Sequence, residues 1–404
     1  MTPEIKHRIE KIRRGNVPDG YKKTKAGILP ADWDVHMLGE CLSRVEKPVE
    51  VKPNKLYTQI GIRSHGKGIF YKEPVTGAAL GNKSVFWIEP DCFIVNIVFA
   101  WEQAIGKTTQ SEVGMIGSHR FPMYRPVNDR VDIDYLISYF LTKRGTDILE
   151  AASPGGAGRN KTLGQDRFLK SKITLPPIEE QRKIAAILTT QDRVIELKEK
   201  RLAEKQRQKK YLMQQLLTGK KRLPGFAFEV EKTNIKAIST YSVSTISQTM
   251  LESYEGKQLY PVFNANSIAG HVDFYENECP YISIIKDGAG IGRVRLCEAK
   301  SSTIGTMGCI HARKGISIIF LYYLLEQVDF NKYSNGSTIP HLYYKDYSCE
   351  KVRIPDIKEQ AAIAEVLSTA DREIELLQQD IEQEKQKKKA LMQLLLMGIV
   401  RVKI

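Results

Sequence analysis

Basic and amide side chains gather in glycine-rich stretches along two parts of this chain. Arg63, His65 and Lys67 lie among glycines in 61–68 (GIRSHGKG), Arg120 follows His119, and Arg159, Asn160 and Lys161 close the run GGAGRNK. Further on come Asn264 and Asn266, then Lys286, Arg293 and Arg295 around a glycine-rich stretch, then His341, Tyr343, Tyr344 and Lys345 after Gly336. Cations suit phosphate oxygens, and forked or amide side chains match the edges of base pairs. Glycine lets a backbone approach a ligand closely. Taken singly, each residue reads better as a solvated charge on an ordinary turn. Residues 159–161 and 338–345 carry more weight, because they stand at matching places just upstream of two repeated segments.

Other stretches imitate catalytic loops and fall short. Residues 61–68 follow a phosphate-loop pattern until Gly68, where a hydroxyl should bind magnesium, and 104–108 (AIGKT) has Trp101 where the first glycine is required. Residues 288–292 (GAGIG) are followed by Arg293 and a strand-like segment, which predicts a tight turn rather than a dinucleotide site. Residues 175–178 (LPPI) lack the amide or acid and the aromatic of an adenine methyltransferase motif, and prolines suit a helix start. No Ser-His-Asp, paired-carboxylate or metal spacing occurs, and the six cysteines are scattered singly, as reduced core thiols. The expectation is a chain with no catalytic residues, no metal and no cofactor of its own.

At 404 residues, two or three domains are expected. The net charge of +14 points to a polyanionic partner, nucleic acid first. Apolar content of 42% and a mean hydropathy of −0.32 predict a soluble globular protein. No apolar run long enough for a transmembrane helix is present, and the charged opening MTPEIKHRIEKIRRG is not a signal peptide. A cytoplasmic location, away from membranes, follows as the expectation.

The elements that must position these residues are announced by a repeat. Residues 175–223 align without a gap with residues 354–402, at a constant offset that relates Glu180 to Glu359, Gln181 to Gln360, Asp192 to Asp371, Met213 to Met392 and Gly219 to Gly398. Ile184, Leu188, Ile195, Leu202, Leu212 and Leu216 in copy one, and Ile363, Leu367, Ile374, Leu377, Ile381, Leu391 and Leu395 in copy two, follow a heptad seam. Charged residues interrupt both seams at matching positions (Lys205 and Lys209; Glu384 and Lys388). Asp356 with Glu359 resembles a capping box, with Pro177 replacing the aspartate in copy one. Each helix of about 38 residues would be roughly 57 Å long. Matching seams and matching interruptions predict that the two helices pair with each other, and an antiparallel sense is expected because it relates the copies by a two-fold and puts one variable block at each end.

The fold class expected is α+β: two globular mixed α/β domains separated by two long helices in an antiparallel coiled coil with a pseudo-two-fold. The divisions are a helical head at 1–26, a first variable block at 27–172, a first helix at 173–222, a second block at 223–351 and a second helix at 352–404. The blocks look unlike each other. Strands are expected at 84–88, 92–100, 280–285 and 293–297, and helices at 134–150 and 316–328. The head is expected to pack near the end of the second helix.

LPPIEEQRKIA and IPDIKEQAAIA opening the two repeated helices, the ending LMQQLLTGKKR, and the opening MTPEIKHRIEKIRRGNVPDGYKKTKAGILPADW resemble the specificity subunit of type I DNA restriction–modification systems. YPVFNANSIAG, IIKDGAGIGRV and GSTIPHLYYKDY are similar to its target-recognition domains. Copy two departs from the usual Leu-Pro-Pro with Ile354-Pro355-Asp356. The resemblance covers essentially the whole chain. It implies that each block reads one half of a split site on double-stranded DNA and that the coiled coil sets the gap. It further implies that two methyltransferase subunits and the restriction or motor subunits assemble on the chain. S-adenosylmethionine, ATP and magnesium would belong to those partners. The competing reading is a coiled-coil adaptor whose blocks bind protein. The basic excess of the first helix fits either DNA between the half-sites or a solvated face.

Overall fold

The computed structural model describes residues 3–24, 27–155, 161–227, 231–288, 290–336 and 339–402. The chain divides into two compact units, Met1–Leu197 with Ile381–Ile404 and Lys198–Asp380. The long helices are continuous over Ile178–Leu216 and Ile357–Leu396, so each contributes residues to both units.

In the first unit the strand Asp34–Met37 pairs with Lys172–Leu175, the strand that leads into the first long helix. A short helix, Leu38–Cys41, then feeds a four-stranded antiparallel sheet in the order 42–45, 123–126, 93–95, 105–107. Phe93, Tyr124, Phe140 and Phe168 form an aromatic cluster behind it, all fully buried. The helix expected at 134–150 is two helices, Ile133–Phe140 and Lys143–Ala151. The break has a local cause: the Thr142 hydroxyl caps the second helix by accepting from the Gly145 amide, and Gly145 lies against the Tyr139–Phe140 backbone with no room for a Cβ.

The second unit repeats this plan. Glu231–Asn234 pairs with Lys351–Ile354, Ile235–Ile238 is the short helix, and the four-stranded antiparallel sheet runs 239–243, 307–312, 281–285, 294–297. The two blocks therefore share a sheet order that their unlike sequences conceal. The helix Ile318–Glu326 packs on this sheet, with Phe320, Leu321 and Leu325 buried.

The long helices run antiparallel in both units. In the first, Asp192 of helix one meets Lys388 of helix two at 2.5 Å, and Gln191 donates to Glu384 at 2.6 Å. In the second, Lys198 meets Asp380, Lys205 meets Glu373 and Lys209 meets Asp371, at 2.8, 2.6 and 2.6 Å. Rising numbers on one helix meet falling numbers on the other. Lys198–Asp380 and Lys205–Glu373 are one heptad apart on each helix. The polar interruptions of the seam are thus where the helices exchange ion pairs.

The repeated Glu-Gln motif fastens each helix to its surroundings. Glu180 is fully buried and accepts two hydrogen bonds from Arg401, at 2.7 and 2.8 Å, and one from the Trp33 indole at 3.3 Å. Glu359 is matched in the same way with Arg222. Gln181 donates to the Arg130 and Pro176 carbonyls and accepts from the Asp132 amide. Gln360 does the same with Gly315, Pro355 and Ser317. The capping box expected at Asp356 is half realised. The Asp356 carboxylate accepts from the Lys358 and Glu359 amides, but the Glu359 side chain is committed to Arg222.

The head helix, Pro3–Arg13, is held to the C-terminal tail: Arg8 donates to the Ile399 carbonyl and Tyr21 to that of Gly398. Gly398 needs its left-handed φ of +66°, and a Cβ there would meet Pro30 and Trp33. Among the described residues no helix is long and apolar enough to cross a membrane.

Candidate nucleic-acid interface

In the first unit the strand Phe93–Val95 leaves the sheet into a loop, 96–104, that gathers three of the segments singled out by sequence. The Ile97 amide donates to the Arg120 carbonyl, and the Ile97 carbonyl accepts from Leu163. The Lys161 ammonium lies 5.2 Å from the centre of the Trp101 ring, a cation–π contact. The amides of His65 and Gly66 donate to the Glu102 and Gln103 carbonyls at 2.7 and 3.0 Å, and Ser64 donates to the Glu102 carboxylate. Arg63, His65, Lys67 and Arg120 are exposed, on turns fixed through their backbones. The Arg63 guanidinium covers the Phe70 ring at 4.8 Å. Arg159 and Asn160 lie outside the described residues. The loop itself was not singled out by sequence, because its joining groups are backbone atoms.

The corresponding loop of the second unit follows the strand Tyr281–Ile285 and contains Gly288, Gly290 and Gly292, all at positive φ. It is the tight turn expected there. Asp287 sits opposite His341 across an antiparallel bridge, and its carboxylate takes the His341 Nδ1 at 2.8 Å and the Lys286 ammonium at 2.9 Å. Burial alone would raise the Asp287 pKa; the hydrogen bonds from His341 and Lys286 outweigh it and hold the carboxyl below its ordinary value. Tyr343, half exposed, lies beside His341 at a ring distance of 6.5 Å, and the Lys345 ammonium is 5.6 Å from the Tyr343 ring.

The remaining residues have other surroundings. Arg295 donates to the Asn266 carbonyl at 2.6 Å and covers the Phe263 ring. The Asn264 carboxamide closes its own turn, accepting from the Asn266 and Ser267 amides. Tyr344 turns inward, stacked on Tyr241 at 4.8 Å with its hydroxyl beside Ser239. Arg293 faces the first long helix, in a groove with Lys209 and Lys210.

That groove, of about 550 Å³, has a counterpart of about 1040 Å³ in the first unit. Gln206, Lys209, Lys210, Met213, Asp371 and Ile374 line one; their repeat equivalents Lys385, Lys388, Lys389, Met392, Asp192 and Ile195 line the other. Lys67, Lys143 and Arg144 add positive charge to the first unit's groove, which His65 also lines. Sequence reasoning did not flag these grooves. The signal was present in the repeat, which places equivalent positions at both grooves.

No His, Cys, Asp or Glu cluster suited to a metal occurs among the described residues. Lys107, the lysine of the stretch resembling a phosphate loop at 104–108, lies in the strand Ile105–Lys107 and pairs with Asp134 at 2.7 Å.

The family model described as type I restriction modification DNA specificity domain matches twice, over residues 72–206 and 228–386. A putative type I restriction enzyme MjaX specificity subunit of Methanocaldococcus jannaschii is 23% identical over 425 residues, covering 95% of this chain and 97% of that protein. The MjaVIII specificity subunit of the same organism is 24% identical with the same coverage. Among solved structures, the S subunit of a type I restriction-modification system from M. genitalium matches with a TM-score of 0.61 at 14% identity, over 92% of this chain and 96% of that one. A chain from a structure concerned with assembly and conformational transition of the type I system matches at 0.57 and 17% identity, over 92% and 99%. These likenesses at low identity show the shared fold, and the two family matches take in most of the chain. The chain belongs to the type I restriction–modification DNA specificity family.

Proposed function

We propose that this chain reads a split sequence on double-stranded DNA, one half with each block, and presents it to methyltransferase and restriction partners. The chain is a specificity subunit, and specificity subunits do no chemistry themselves. The observation that carries the split reading is duplication of the reading apparatus with changed contents. Each unit has the same four-stranded order and the same loop after the central strand, yet 96–104 and 286–293 bear different side chains. The residues proposed to meet DNA are Arg63, His65, Lys67, Arg120 and Lys161 in the first unit. In the second they are Lys286, Arg295, His341, Tyr343 and Lys345. Arg159 and Asn160 join the first set by their place in sequence. Cations among them would hold phosphate, and the amide, imidazole and guanidinium groups would meet base edges.

The paired grooves favour two equal partners, because residues lining one recur at the same repeat positions in the other. Two methyltransferase subunits fit that requirement, with restriction subunits joining them. S-adenosylmethionine, ATP and magnesium then belong to the partners, and the assembly works in the cytoplasm, where its DNA is.

The test is DNA affinity of the assembled methyltransferase complex as a function of salt, together with genome-wide mapping of methylated sites with and without the gene. Phosphate contacts give a slope of log affinity against log salt near −0.9 per contact. A steep slope and a two-part methylated motif are expected. A flat response, or a motif that persists without the gene, would favour a protein-binding adaptor.

A further inference from the structure

We infer that Asp287 is the positioning residue of the second recognition domain, and that it fixes which ring nitrogen His341 offers to the DNA. The inference rests on the reading above that this edge faces a half-site. Two backbone hydrogen bonds first clamp the segments together: the Gly288 amide donates to the Pro340 carbonyl at 3.0 Å, and the Leu342 amide donates to the Lys286 carbonyl at 2.8 Å. The Asp287 carboxylate then divides its oxygens, Oδ1 to His341 Nδ1 and Oδ2 to Lys286 Nζ.

An ionised carboxylate only accepts hydrogen bonds. Nδ1 of His341 therefore carries its hydrogen whatever the charge of the ring. In the neutral ring the lone pair is on Nε2. Nε2 has no protein partner among the described residues, and the His341 side chain is 42% exposed. Lys286 is held on the other oxygen of the same carboxylate, so the neutral ring offers the one acceptor of the cluster, Nε2. An acceptor pairs with the exocyclic amino group of cytosine or adenine in the major groove; the opposite tautomer would present an N–H, which suits O6 and N7 of guanine. Asp287 thereby selects an amino-bearing base edge over a guanine edge at the position His341 reaches, without touching the base.

The experiment uses the full chain, alone for spectroscopy and assembled with its methyltransferase partners for selection. Asp287→Asn keeps the shape. Its carbonyl can still accept from Nδ1–H, but its amide can donate to a bare Nδ1, so both tautomers become available. Two-bond nitrogen–proton correlation spectra of histidine-labelled chain report the tautomer. Selection from DNA randomised over both half-sites reports base preference. The expected result is an Nδ1–H ring in the native chain and a mixture in Asp287→Asn. With it should come about tenfold relaxed preference at one position of the second half-site, and an unchanged first half-site. An Nε2–H ring in the native chain overturns the proposal, and so does any result in which tautomer and preference do not change together. His341→Gln separates the two claims. If it alters second-half preference while Asp287→Asn does not, the positioning role alone is wrong. If it leaves both half-sites untouched, the reading of this edge as a DNA contact is wrong.

Discussion

Glu180 and Arg401, 221 residues apart in sequence, close a two-pronged ion pair at the start of the first long helix, and Glu359 with Arg222 repeats it at the start of the second. Arg401 also holds Asp32 through two hydrogen bonds of 2.9 and 2.7 Å. Removing one partner of a buried pair leaves an uncompensated charge and costs about 3–5 kcal/mol. Arg401→Met is expected to destabilise the first unit by that order, and Glu180→Gln with Arg401→Met to recover much of it. All three tryptophans (Trp33, Trp87, Trp101) lie in the first unit, so urea unfolding followed by tryptophan fluorescence reads that unit. Arg222→Met should leave the tryptophan transition in place while changing the total helix signal.

The heptad between Lys198–Asp380 and Lys205–Glu373 gives a clean way to shorten the coil. Deleting residues 198–204 together with 374–380 puts Lys205 and Glu373 where Lys198 and Asp380 stood, so the ion pair re-forms. Seven residues span about 10 Å of helix, near three base pairs of rise. The shortened chain, assembled with its partners, is expected to prefer a shorter gap between half-sites, or to lose specific binding where the helical phase becomes wrong. Methylation of sites with varied gaps measures this; an unchanged gap preference would mean that the helices do not set it.

His311, on the strand Met307–Ala312, stands 5.8 Å from the Tyr281 ring, and burial pushes its pKa below the ordinary 6.5. The folded state then binds fewer protons than the unfolded state below that value. Stability of the second unit is expected to fall as pH drops from about 6.5 toward the folded pKa, and to be flat above it as far as this group decides. His311→Phe keeps a ring against Tyr281 and removes the titration. Chemical denaturation at a series of pH values should show the native chain losing stability relative to that variant on the acid side only.

Gly292 has φ of +79°, and a Cβ there would lie 2.4 Å from Cβ of Phe330. Gly288, at +85°, has open space around it. Gly292→Ala is expected to cost about 2–4 kcal/mol from strain plus displacement of Phe330, and Gly288→Ala about 1–2 kcal/mol from strain alone. Calorimetry orders the two. In the assembled complex Gly292→Ala should also weaken reading of the second half-site, because the Asp287 loop moves with it.

The long helices were legible because a heptad pattern needs only the spacing of apolar residues; their pairing followed from charged positions that recur in register, and its antiparallel sense from the two-fold relating the copies. The Glu-Gln motif was legible as a repeat but not as a fastener. Nothing local in IEEQ says that Gln181 will satisfy the Asp132 amide 49 residues upstream. The likeness of the two blocks was hidden for a related reason. A sheet asks for burial and strand pairing rather than for particular residues, so the central strand pair brings Phe93 to Tyr124 in one unit and Ser283 to Cys309 in the other.

The interface residues divide the same way. His341 and Lys286 stand out in sequence by their types, whereas Asp287, which joins them, reads there as part of a glycine turn. The Tyr344 ring suits a base contact by type but stacks on Tyr241. The direction of a side chain on a four-residue helix such as Tyr344–Tyr347 is set by tertiary packing, which composition does not encode.

The first unit is made of two stretches, Met1–Leu197 and Ile381–Ile404, whereas the second is one stretch, Lys198–Asp380. A ribosome emits the chain from one end, so the unit that begins first is completed last. Until Arg401 emerges, Glu180 and Asp32 wait without their counter-charge, while the later unit already has all of its residues. A nascent chain stalled before Ile381 would thus carry one finished reader and one unfinished reader, and quality control in the cell would meet the unfinished one.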